Sequence, residues 1–75
     1  MTRSSVEELC RKIGLKIVVK LKNGRSLRGK LVSFDEHLNL VLEEAEDVTI
    51  PENVKKVGNL ILRGDSIVLI RLNTE

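Results

Sequence analysis

Gly29 lies in the middle of a run from about Ser26 to Phe34 in which Leu27, Leu31 and Phe34 do not share one parity. Such a run can be a strand only if the strand bends. A glycine coupled to a parity slip marks a bulge or sharp bend, the device that curls a sheet into a barrel. The run follows Asn23-Gly24, a strong hairpin signal because both residue types tolerate positive φ. Before that turn the period is two. Leu15, Ile17, Val19 and Leu21 alternate with Lys16, Val18 and Lys20, as in a half-buried strand with one mostly polar face.

The rest of the chain fits around this bent hairpin. Ser4 and Glu7 form a capping box, Val6, Leu9, Cys10 and Ile13 give a helical stripe, and Gly14 is a natural stop, so a short helix is expected over about 4–13. After the knuckle Asp35-Glu36-His37 comes Leu38-Asn39-Leu40-Val41-Leu42, read as a strand with its three leucines inward. Residues 43–56 are polar and contain Pro51, which reads as a loop or a frayed hairpin end. Residues 58–62 form a fourth strand, Arg63-Gly64-Asp65-Ser66 a turn, and 67–72 a fifth strand. The expected class is mainly β: one domain over 1–75, with a short N-terminal helix and a strongly bent five-stranded antiparallel barrel over about 15–72. The pattern leaves an Sm-type barrel, another SH3-like barrel and a truncated OB-fold open.

Seventy-five residues bury only about 60–65% of the surface of the unfolded chain, so an added staple is expected. One cysteine cannot pair within the chain, and one cysteine with one histidine cannot build a structural zinc cage, so neither metal nor cofactor is expected. Oligomerisation remains. The last two strands are apolar on both faces and would be sticky edges unless another copy pairs with them. The N-terminus has no signal-peptide core and no apolar run nears the ~18 residues of a membrane span, which points to a soluble, cytoplasmic protein with no membrane partner.

Net charge is only +2, but it is segregated. Residues 1–30 carry nine Lys/Arg against two Glu, whereas 31–54 carry seven Asp/Glu and no Lys/Arg. Faces of opposite sign result, one of which could meet phosphates. One histidine, one cysteine, no Tyr or Trp and no Gly-rich phosphate loop leave no nucleophile–base pair, so an enzyme is not expected.

Two stretches resemble the paired motifs of the Sm-like (LSm) family, the archaeal Sm-like proteins most of all. The first runs through Leu21-Lys22-Asn23-Gly24, Gly29 and Phe34-Asp35-Glu36-His37-Leu38-Asn39. The second is Leu60-Ile61-Leu62-Arg63-Gly64-Asp65 with the strand that follows. The resemblance spans about residues 5–72. It implies a homo-oligomeric ring with a heptameric habit, whose central hole holds short U-rich single-stranded RNA, in RNA processing or RNP assembly and alongside other RNA-processing proteins. A ring acting mainly as a protein scaffold, through the acidic segment around 43–52 and the apolar last strands, is the alternative.

The resemblance also nominates residues. His37 offers a flat face for a base and Arg63 a planar guanidinium for its other side. Asn39 offers an amide donor and acceptor for the edge of uracil. Gly64 lets backbone turn and a ligand approach, and Asp65 is expected to orient Arg63 or Asn39. Asp35 reads as the residue that holds its own turn. Arg3 is nominated for a second, weaker RNA contact. Several identical pockets engaged by one strand would be needed, because one stacked base contributes only about 1–3 kcal/mol.

Overall fold

The computed structural model describes residues 5–73. One antiparallel sheet dominates it, formed by β1 (Lys16–Leu21), β2 (Ser26–Phe34), β3 (Leu40–Asp47), β4 (Lys55–Leu62) and β5 (Ile67–Leu72) in the order β4-β3-β2-β1-β5. A short helix, α1 (Ser5–Cys10), precedes the sheet, and a single 3-10 turn at Gly64–Ser66 joins β4 to β5. No described helix is long and apolar enough to cross a membrane. Ile17, Val19, Leu31, Leu40 and Leu42 are wholly buried in the core, and Leu9 of α1 joins them.

The bend falls where Gly29 required it. Pairing of β2 with β3 shifts register between Arg28 and Lys30 and again between Leu31 and Ser33. A Cβ at Gly29 would stand 3.1 Å from both Cα and Cβ of Ala45 and 3.2 Å from the Glu43 carbonyl. The glycine is needed for close approach of β3, and its own φ is not left-handed. At the preceding turn only Gly24 has positive φ (90°); Asn23 instead accepts the Arg25 N–H through its side chain at 2.9 Å.

Several boundaries differ from expectation for physical reasons. The helix ends at Cys10, and the next residues continue in tighter three-residue turns, with Lys12 N–H to Leu9 O at 2.9 Å, before Gly14 at φ 87°. The Ser4 cap lies outside the described residues. Leu15, expected inside, is exposed because it precedes β1 at this turn. Val18, expected on the polar face, is buried; the register sets Arg28 and Arg71 on either side of it, and such long aliphatic stems can cover a neighbour.

The largest difference is the acidic segment. β3 runs on to Asp47 and β4 begins at Lys55, so the loop is confined to 48–54. Two of its carboxylates are met by cross-strand cations. Glu46 meets Arg28 at 2.6 Å, Asp47 meets Arg25 at 2.7 Å, and the register pairs Glu46 with Lys56 and Asp47 with Lys55. Opposite charges facing each other across a ladder stabilise it.

β4 and β5 are the two edges of the sheet. Both present apolar side chains to solvent: Ile61 is 71% exposed and Val68 57%. A large apolar residue so exposed on a free edge is a template for pairing with another strand.

Candidate functional site

Two loops at one end of the sheet meet to form the site. The first, between β2 and β3, is closed by the Asp35 N–H to the Asn39 carbonyl (3.2 Å) and the Leu38 N–H to the Asp35 carbonyl (3.0 Å). Asn39 therefore belongs to a loop, although the sequence suggested a strand, and β3 starts only at Leu40. Leu38 has a positive φ of 62°, a costly conformation for a branched apolar residue. Its side chain packs against the core, which holds the strained turn in place.

Asp35 organises this loop. Its Oδ1 accepts the N–H groups of His37 (2.9 Å) and Asn39 (3.0 Å), and its Oδ2 accepts the Asn39 side-chain Nδ2–H at 2.9 Å. The turn-holding role was legible in the sequence, but the grip on the Asn39 amide was not. The pairing of an Asp with an Asn four residues on, across a loop, was the available signal.

Asn39 then links the first loop to the second, because its Oδ1 accepts the Gly64 N–H at 2.8 Å. These partners fix which way the amide points. A carboxylate can only accept, so nitrogen must face Asp35; a backbone N–H can only donate, so oxygen must face Gly64. One amide N–H and one oxygen lone pair remain unused by these bonds. Gly64 has a spatial reason to be glycine: an added Cβ would collide with the His37 carbonyl oxygen and lie 2.9 Å from that of Leu38. It makes room for the other loop's backbone, and its φ is not left-handed.

The remaining side chains stand in solvent. His37 is 76% exposed and Arg63 80% exposed. Asp65 reaches the Arg63 guanidinium at 3.4 Å, whereas the Asn39 amide is held by Asp35 and Gly64. Arg3 lies outside the described residues. Among the described residues, no three His, Cys, Asp or Glu side chains gather as a metal site.

Hydrogen bonding to Asn39, through its side chain first and its backbone second, holds the Asp35 carboxyl below its ordinary 3.8. A carboxylate depressed on folding stabilises the folded loop fully above the unfolded value and loses that contribution as pH falls through the folded value. The Asn39 side-chain amide signals in NMR are therefore expected to stay constant down to about pH 4 and to shift with a midpoint below 3.8. A midpoint at or above 3.8 would show that the grip is absent in solution.

Residues 7–72 match the LSM domain family model. The chain is 42% identical over 65 residues to an snRNP Sm-like protein of Archaeoglobus fulgidus, covering 87% of this chain and 84% of that one. Among solved structures it is similar to the SmAP1 heptamer of P. aerophilum, with TM-score 0.89 and 36% identity over the whole of both chains. It is also similar to the Sm protein of Pyrococcus abyssii in complex with a uridine heptamer, with TM-score 0.86 and 34% identity, covering 95% of this chain and 100% of that one.

Proposed function

The chain belongs to the LSM domain family, and on that premise we propose that it is a ring subunit that binds short uridine-rich single-stranded RNA at a central hole. Each copy contributes one Sm-like domain. The carrying observation is the locked Asn39 amide at the junction of the two loops, with a donor and an acceptor still free and with exposed His37 and Arg63 on the joined loops. Uracil offers a ring N–H and carbonyl oxygens on one edge, which that amide can match. The imidazole and guanidinium supply flat faces for stacking. The uridine heptamer bound by the similar P. abyssii protein supports the same ligand here.

The exposed apolar edges of β4 and β5 support a ring closed by edge-to-edge pairing, and the heptameric relative supports seven copies. Stacking one base contributes about 1–3 kcal/mol, so strong binding has to come from several pockets held at a high effective concentration. The subunit holds RNA and does not turn it over, and it works in the cytoplasm. The scaffold reading has less acidic surface to work with, because Glu46 and Asp47 are engaged by Arg28 and Arg25 within the sheet.

Titration with oligo-U and oligo-A at fixed salt tests the reading. Oligo-U is expected to bind more tightly, and His37→Ala, Asn39→Ala and Arg63→Ala are each expected to weaken it about tenfold or more. Equal affinity for both oligomers, or three unaffected variants, would refute it.

A further inference from the structure

Lys22 opens the turn between β1 and β2, and its backbone N–H donates to the Ser66 carbonyl at 2.9 Å. That bond anchors the turn to the second loop of the site. Lys22 and Arg63 line one cleft of about 280 Å³, floored by Leu21 and Leu62. Three other basic residues of the first third are engaged, Arg25 by Asp47, Arg28 by Glu46 and Lys12 by Glu8, and none of Arg11, Lys16, Lys20 and Lys30 lines the cleft beside Arg63. The exposed Lys22 makes no ion pair among the described residues.

Around this cleft Lys22 and Arg63 bring two positive charges, and Asp65, held by Arg63, brings one negative. One positive charge per subunit is left uncompensated. We propose that Lys22 is the phosphate-holding residue of the RNA site, gripping the strand's backbone beside the base held by Arg63; this rests on the RNA-binding reading above. The chemistry divides naturally. A guanidinium stacked on a base presents its face, while an ammonium on a flexible stem is a point charge suited to a phosphate oxygen. Because Lys22 is anchored through its backbone, changing its side chain leaves the bond to Ser66 in place.

Phosphate contacts and base contacts separate by salt dependence. Each phosphate contact to a single strand adds about 0.7 to the slope of log affinity against log salt and carries no base preference. Lys22→Gln is therefore expected to bind oligo-U about tenfold more weakly at low salt, with a shallower slope and an unchanged ratio of oligo-U to oligo-A affinity. Lys22→Arg is expected to restore the slope. A Lys22→Gln slope equal to the parent's would overturn the proposal. So would loss of the oligo-U preference without rescue by arginine, which marks a supporting role for the loop. If the parent binds oligo-U and oligo-A equally while Lys22→Gln still flattens the slope, the phosphate site stands and the base reading falls. If the parent binds neither, both fall.

Discussion

Gly64→Ala is expected to abolish uridine binding and to lower stability by about 3 kcal/mol. The new methyl would collide with the His37 carbonyl oxygen, with the Leu38 carbonyl oxygen also at 2.9 Å. Both obstacles are backbone, so no flexible side-chain end can move aside, and the two loops must part. Parting them breaks the 2.8 Å bond from the Gly64 N–H to Asn39 Oδ1. The amide then loses the partner that fixes its oxygen, and exposed His37 and Arg63 lose their common support. Urea denaturation and an oligo-U titration of the same preparation measure the two effects. Binding within twofold of the parent would show that the junction is not needed.

Ile61→Asp is expected to release the ring into folded monomers. The side chain is 71% exposed in the isolated subunit, so its loss should leave the fold intact. In a ring closed along β4 it would be buried, and removing it forfeits about 1.5–3 kcal/mol per interface. Burying an unpaired carboxylate there costs several kcal/mol more, and the cost recurs at every interface of the ring. Native mass spectrometry should find monomers whose circular dichroism matches the parent, with oligo-U affinity falling to that of a single pocket. An intact ring would rule out β4 as the closing edge; an unfolded monomer would show that Ile61 supports the subunit itself.

The parts of the fold that depend on local chemistry were legible. Gly29 with its parity slip placed the bend, Asn23-Gly24 placed the turn, and the apolar run 67–72 placed β5 at its observed bounds. The acidic stretch, read as a loop or a frayed hairpin end, is an ordered hairpin whose loop is confined to 48–54, because its strand character comes from partners far away in sequence. Glu46 and Asp47 look like solvated loop residues until Arg28, Arg25, Lys55 and Lys56 are set opposite them. Val18 carried the parity of a polar face, yet it is buried in a central strand with Arg28 and Arg71 opposite it on either side.

The site divides along the same line. His37, Asn39, Arg63, Gly64 and Asp65 could be named from two short motifs, and so could the chemistry that their side chains offer. Their arrangement could not. That Asp35 grips the Asn39 amide, that Asn39 joins the two loops through Gly64, and that Leu38 turns at a φ of 62° follow from chain segments brought together by folding. By itself the sequence determined a small, bent β domain with sticky last strands and a set of residues suited to holding bases. Tertiary structure alone decided that those strands are the two free edges, that Glu46 and Asp47 sit in a charge-paired ladder, and that one amide points in one direction only. The physical reason is that periodicity and turn chemistry act between neighbours, whereas register, charge pairing and the partners of a side-chain amide are set by residues that meet only after the chain has folded.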